Sequence, residues 1–86
     1  MRASTNSALI RALGVELKVC RLERGLTQED LAARAELDRP YITLIEAARK
    51  QPTLSVLYRL AGALELPLGV FLTRVERRYL DAPESL

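Results

Sequence analysis

Residues 26–46, LTQEDLAARAELDRPYITLIE, carry the densest set of helix-boundary signals in the chain. Thr27 is a good N-cap, and two acidic residues follow it, where negative charge suits the positive end of a helix dipole. Asp38 is a second N-cap signal. Pro40 falls in the first turn of the next helix, where its missing N–H costs no hydrogen bond. The segment therefore predicts two short helices joined by a tight polar turn.

Helical periodicity extends along the chain, and no segment alternates apolar and polar residues as a half-buried strand would. Capping residues, glycine and proline divide the sequence into five predicted helices. The first covers residues 7–24, the second, third and fourth begin at residues 27, 38 and 53, and the fifth covers residues 67–80. The predicted apolar face of the fourth helix comprises Leu54, Leu57, Leu60, Ala61 and Leu64. We predict an all-α fold, a compact five-helix bundle, and expect residues 1–86 to form a single domain.

Composition argues against several functional classes. The 86 residues include one cysteine and no histidine, which excludes an internal disulfide and zinc sites built from several Cys and His. Cys20 lies on the apolar face of the first helix and is expected to be a buried free thiol rather than a redox sensor. No Gly-rich phosphate loop is present, so an enzyme is disfavoured and neither cofactor nor metal is expected. No apolar run is long enough to span a bilayer, and the expected location is cytoplasmic.

The net charge of +2 says little, but its distribution is uneven. Residues 25–38 hold four acidic side chains and one basic one, whereas residues 39–51 hold three basic side chains and one acidic one. Residues 1–24 add five basic side chains against two acidic ones. A modest basic surface suffices to bind DNA when phosphate contacts add across two subunits. The alternative is scattered, solvated charge.

The layout within residues 26–46 is that of a helix-turn-helix, which places its second helix in the major groove of DNA. Arg39, at the start of that helix, is positioned to donate two hydrogen bonds to guanine O6 and N7, or else to pair with a neighbouring acid. Gln28 is a candidate phosphate ligand, and Arg49 and Lys50 are candidates that set register rather than sequence. Tyr41 either donates to phosphate or packs its ring on the domain.

Two motifs, GLTQEDLA over residues 25–32 and YIxxIE over residues 41–46, resemble those of the phage-repressor and Cro-type (Xre) helix-turn-helix family. The chain is also similar to restriction-modification controller proteins. The resemblance implies a lambda-repressor-like domain whose DNA-binding residues, in this sequence, are Thr27, Gln28, Arg39, Pro40, Thr43, Leu44, Arg49, Lys50 and Gln51. It further implies a buried salt bridge between Arg21 and Glu46, which is structural.

Three positions depart from the family pattern. Glu36 stands where glycine is frequent in the turn, so a left-handed backbone there would be strained. Pro40 and Leu44 replace polar base readers, although leucine can contact a thymine methyl group. Base-specific hydrogen bonding then falls mainly on Arg39 and Thr43.

The fifth helix is predicted to form a dimer interface through Val70, Phe71, Val75 and Tyr79, because these side chains exceed what a small domain can bury. The alternative is that they complete the core of the monomer. The sequence therefore predicts a transcriptional regulator that binds a palindromic operator in double-stranded DNA as a homodimer, with no evident small-molecule effector. An antitoxin-like or adaptor module that binds another protein is the alternative.

Overall fold

The computed structural model describes residues 6–82, in which five α-helices follow one another without a strand. They are α1 (Ser7–Glu23), α2 (Gln28–Ala35), α3 (Arg39–Glu46), α4 (Leu54–Ala63) and α5 (Leu68–Asp81). The predicted fold class and helix order are confirmed. The predicted boundaries are reproduced within a residue or two.

Three helices begin at a side-chain cap. Asn6 Oδ1 accepts from the N–H of Leu9 at 3.0 Å, and the Thr53 hydroxyl accepts from the N–H of Val56 at 3.2 Å. Thr27 begins α2 with a complete capping box. Asp38 occupies the N-cap position of α3, but its side chain makes no capping hydrogen bond, so the predicted cap is present in position only.

Four helices end in the same way, with one residue in the left-handed conformation. These residues are Gly25, Glu36, Ala48 and Glu65, with φ between 58° and 68°. The next N–H returns to a carbonyl five residues earlier, as from Leu37 to Ala32 at 2.8 Å. This closure satisfies terminal carbonyls and turns the chain sharply, which permits short connections between helices. Glu36 has a left-handed backbone at the position where glycine is frequent in the family, so the strain considered for this turn applies.

A single apolar core lies between the helices. Its largest fully buried side chains are Leu17, Leu31, Ile42, Ile45, Leu60, Leu64 and Phe71. Gly14 of α1 faces the last turn of α3, where an added Cβ would come within 3 Å of two backbone carbonyl oxygens. The predicted face of α4 needs one correction. Leu54, the first residue of α4, is 68% exposed, and Val56 is buried in the core instead.

The predicted dimer residues of α5 divide between two environments. Phe71 and Val75 are buried within the single chain, so their assignment to a dimer interface is corrected: one face of α5 packs on α1 and α4 and completes the core. Val70 points away from the core and is exposed. Tyr79 is half-buried, and its hydroxyl accepts from the Asn6 amide at 3.1 Å.

A buried carboxylate fastens α5 to α1. Glu16 is 3% exposed, accepts a hydrogen bond from Arg78 at 2.9 Å and forms an ion pair with Arg74 at 2.8 Å. The Cys20 thiol, buried as expected, also donates to Glu16 at 3.1 Å. Burial, together with the neighbouring carboxylate, raises the pKa of Cys20 to about 12. The thiol therefore stays protonated at neutral pH.

Between residues 6 and 82, none of the helices is both long and apolar enough to cross a membrane alone. Helices α4 and α5 reach the length and hydropathy of a span only when taken together, and they are bent by 102° relative to each other.

Candidate nucleic-acid interface

The turn between α2 and α3 is held from behind by α4. Arg59 donates through Nε to the carbonyl oxygen of Ala35 at 3.0 Å and through Nη2 to that of Glu36 at 2.6 Å. A guanidinium at a helix C-terminus satisfies terminal carbonyls and opposes the negative end of the helix dipole. The left-handed turn at Glu36 is therefore clamped at both of its carbonyl groups.

A buried ion pair fixes α3 to α1. Arg21 Nε lies 2.7 Å from Glu46 Oε2, and Arg21 Nη2 lies 3.0 Å from Glu46 Oε1. The third nitrogen, Nη1, donates to the carbonyl oxygen of Leu26 at 2.8 Å. Both side chains are at least nine-tenths buried. The structure thus joins the two residues that the family resemblance implied would pair, and the bidentate geometry sets the orientation of α3.

Gln28 and Thr43 extend this pair to the surface. Gln28 Nε2 donates to Glu46 Oε1 at 3.0 Å, and the Thr43 hydroxyl donates to Gln28 Oε1 at 2.7 Å. One expected phosphate ligand and one expected base reader are therefore hydrogen-bonded to each other. Both are tied to the buried carboxylate of Glu46.

The capping box occupies Thr27. Its hydroxyl accepts from the Asp30 N–H at 2.9 Å, and its own N–H donates to Asp30 Oδ2 at 2.9 Å. The hydrogen bond from the Thr27 backbone, followed by that involving its side chain, lowers the pKa of Asp30. Because the Thr27 N–H is already bonded, the amides left to face an anion at this helix terminus are those of Gln28 and Glu29.

The outer face of α3 carries the remaining recognition candidates. Arg39, Pro40 and Thr43 are exposed, and Leu44 is 41% exposed. Arg39 makes no ion pair with any residue of the described segment 6–82, whereas the carboxylate of Glu36 lies 3.8 Å from Arg59. The guanidinium of Arg39 is therefore available at the start of α3.

The loop after α3 is organised around Tyr41. Its half-buried ring packs against the core, and Lys50 Nζ lies 5.3 Å from the ring centroid. This cation–π contact holds the ammonium beside the recognition face. Arg49 and Gln51 are exposed on either side of Lys50. The predicted DNA-binding residues therefore lie at the N-terminus of α2, on the outer face of α3 and in the following loop.

Comparison with known proteins assigns the fold to a family. The helix-turn-helix family model HTH_3 matches residues 17–71, more than half of the chain. The chain belongs to this helix-turn-helix family. The resemblance predicted from the two sequence motifs is confirmed, and the matched segment includes every candidate interface residue described above.

Helix-turn-helix relatives include regulators from phage and bacteria. The immunity repressor protein of Bacillus phage phi105 is 44% identical over 57 residues, which cover 66% of this chain and 40% of that protein. The HTH-type transcriptional regulator y4dJ of Sinorhizobium fredii is 39% identical over 54 residues, covering 63% of this chain and 70% of the relative. The chain therefore matches less than half of the phage repressor's length.

Solved helix-turn-helix structures extend the match to nearly the whole chain. A point mutant of the restriction-modification controller protein C.Esp1396I superposes with a TM-score of 0.82 at 31% identity, covering 96% of this chain and 100% of the other. The same controller protein, crystallised as a tetramer with its natural 35-base-pair operator, gives 0.79 at 36% identity, covering 85% and 96%. The predicted likeness to controller proteins is confirmed.

Sequence reasoning missed Arg59. This side chain stabilises the turn of the helix-turn-helix from 23 residues away in sequence, and it belongs to another helix. Local patterns contain no signal for such a contact. The contact becomes apparent only when the packed fold places this arginine of α4 close to the end of α2.

Proposed function

We propose that this chain is a sequence-specific transcriptional regulator that binds a palindromic operator in double-stranded DNA as a homodimer. The observation that carries the proposal is the anchoring of α3 by the Arg21–Glu46 pair, which leaves Arg39, Thr43 and Leu44 on an exposed face. A rigid helix with polar and basic residues on one outer face fits the major groove. Regulation rather than enzymatic catalysis, and a cytoplasmic location with access to DNA, are parts of this proposal.

Phosphate contacts would position the domain on the duplex. The N-terminus of α2 offers the amides of Gln28 and Glu29 beside the Gln28 side chain, and Arg49, Lys50 and Gln51 flank the other end of α3. Helix termini and basic side chains bind phosphate without reading sequence. Two groups of phosphate ligands on either side of α3 would hold it across the groove.

Base contacts would come from α3 itself. Arg39 can donate to guanine O6 and N7, a contact worth about 1–3 kcal/mol of discrimination, and Leu44 can contact a thymine methyl group. Pro40 contributes no backbone N–H. Specificity would therefore rest on few side chains in each subunit, and a palindromic site would double the number of base contacts.

Dimerisation is part of this proposal, and we assign to it Val70, one of the exposed apolar residues of α5. A twofold dimer would present two α3 helices about 34–36 Å apart, the repeat of the major groove on one side of DNA. The operator-bound tetramer of C.Esp1396I supports an assembly of more than one subunit. We propose that residues 1–86 form one DNA-binding domain.

Selection of bound sites from a random duplex pool tests the proposal. We expect an enriched site with two symmetric halves and an affinity that falls steeply with salt. Arg39→Ala should relax the preference at one base pair in each half, while Lys50→Ala should weaken all duplexes alike. Absence of duplex binding at low salt, with a stoichiometric protein partner instead, would favour the adaptor alternative.

A further inference from the structure

The hydrogen bonds between Glu46, Gln28 and Thr43 have a fixed direction. Glu46 accepts from two guanidinium nitrogens of Arg21, and an ionised carboxylate has no proton to donate. The group of Gln28 that lies 3.0 Å from Glu46 Oε1 must therefore be the amide nitrogen. The amide oxygen then faces Thr43, and it can only accept.

Thr43 must consequently give its single hydroxyl proton to the protein. Gln28 Oε1 lies 2.7 Å away, and among residues 6–82 the other acceptor that the hydroxyl reaches is the carbonyl oxygen of Arg39 at 3.3 Å. Either bond turns the proton inward. On the outer side of α3, the hydroxyl oxygen therefore presents its lone pairs to solvent.

We infer that Thr43 acts as a hydrogen-bond acceptor in the major groove and recognises an exocyclic amino group, that of adenine N6 or cytosine N4. This inference rests on the proposed function and specifies the chemistry of one contact. A free threonine hydroxyl can pair with donors or acceptors on bases, and so discriminates poorly. A hydroxyl whose proton is already donated can only accept, so it disfavours base carbonyl oxygens and purine N7, which are also acceptors.

Gln28 is then a positioning residue for base recognition as well as a phosphate ligand. Its amide has a second N–H that does not face Glu46 and can still donate to phosphate. The buried Arg21–Glu46 pair thereby controls the polarity of an exposed base reader two hydrogen bonds away.

The test starts from the site selected by the wild-type protein. Thr43→Val removes the hydroxyl at nearly constant shape, and Thr43→Ser retains it. The base pair whose preference is lost with valine and kept with serine is the one that Thr43 reads. If neither substitution changes any preference while the protein still binds its site, the inference is overturned and the proposed function stands.

Base analogues then identify the atom. If the pair contains adenine, replacement by 2-aminopurine moves the amino group out of the major groove. If the amino group belongs to cytosine, 2-pyrimidinone removes it. We expect the wild type to lose roughly 3- to 10-fold in affinity, the value of one neutral hydrogen bond, and Thr43→Val to lose less than about 2-fold. A loss caused instead by a 7-deazapurine, with none from the amino-deficient analogue, would overturn the inference.

Gln28→Leu tests the positioning role. Removing the acceptor at 2.7 Å leaves the Thr43 proton the longer bond to the Arg39 carbonyl at 3.3 Å, so the proton is held less firmly. The ratio of affinities for the normal and the amino-deficient duplex should therefore fall below the wild-type value. Binding to random duplex controls for the lost phosphate contact, and thermal unfolding controls for folding. An unchanged ratio would overturn the role of Gln28. Failure of the wild type to bind any duplex would instead contradict the proposed function.

Discussion

A Cβ atom placed on Gly14 would lie 2.6 Å from the carbonyl oxygen of Ile45 and 2.9 Å from that of Glu46. These oxygens belong to the backbone of α3, which cannot move aside as a flexible side chain would. Helix α1 therefore carries a notch at Gly14 into which the end of the recognition helix fits. The contact explains why this helix has a glycine in its middle, where glycine costs about 1 kcal/mol relative to alanine.

Gly14→Ala should destabilise the fold by about 1–3 kcal/mol, because overpacking exceeds the gain in helix propensity. Gly62→Ala is the matched control, since a Cβ on Gly62, also within a helix, meets nothing within 4 Å. The control should be neutral or stabilising by up to about 1 kcal/mol. Urea unfolding measures both, and equal behaviour of the two variants would contradict the notch.

Arg21→Ala should cost about 3–5 kcal/mol in unfolding free energy, because it leaves Glu46 buried and without its cation. The control is Arg24→Ala, which breaks an equally short but exposed ion pair with Glu65 at 2.6 Å. That pair should contribute only about 0–1 kcal/mol. Comparable losses in the two variants would show that burial does not determine the energy of the Arg21–Glu46 pair.

Glu16 should make stability sensitive to acid. Burial acts to raise its pKa, but hydrogen bonds from Cys20 and Arg78 and the charges of Arg74 and Arg78 outweigh burial, and the pKa is lowered from 4.5. A carboxylate with a lowered folded-state pKa contributes stability that is fully present well above pH 4.5. That contribution is lost as the pH falls through the folded-state value.

Glu16→Gln should therefore reduce the free energy of unfolding by about 1–3 kcal/mol at pH 7, and the gap from wild type should close as the pH falls below 4.5. Chemical denaturation over a pH series measures this. Glu23→Gln, at an exposed partner of Arg74, is the comparison and should have little effect. A gap that stays constant down to the acid limit would exclude the linkage.

Glu36→Gly should stabilise the protein by roughly 0.5–1 kcal/mol, because glycine adopts a φ of 58° without the steric cost of a side chain. Glu36→Ala separates conformation from charge, since it removes the carboxylate near Arg59 and keeps the strained backbone. Thermal unfolding should show a gain for glycine and none for alanine. A similar gain from both substitutions would assign the effect to charge.

The sequence predicted those parts of the fold that depend on neighbouring residues. The cap at Thr27 and the helix start at residue 53 are local signals, and the structure has both. The left-handed backbone at Glu36 lies where the family pattern often has glycine. The contacts of Arg39, Thr43 and Leu44 with bases stay predictions.

Apart from the Arg21–Glu46 pair, which the family resemblance implied, contacts between distant helices were not predicted. An apolar stripe shows that a helix face is covered but not by what, and so Phe71 and Val75 were assigned to a partner subunit when their own chain covers them. The sequence of α1 does not distinguish Glu16 from a surface acid. In the fold, the packing of α5 places two arginines against it. The contact of Arg59 with the turn was not predicted for the same reason.

The division of contacts among the helices affects how operator geometry could diverge among relatives. Helix α3 packs on α1 and α2, whereas α5 packs on α1 and α4, so that α1 lies between the proposed reading surface and the proposed dimer surface. In a dimer joined through α5, α1 would act as a spacer that sets the distance between the two α3 helices. Substitutions along the α1–α5 contact, such as those near Glu16, could then shift the preferred gap between half-sites while the bases recognised in each half stay the same.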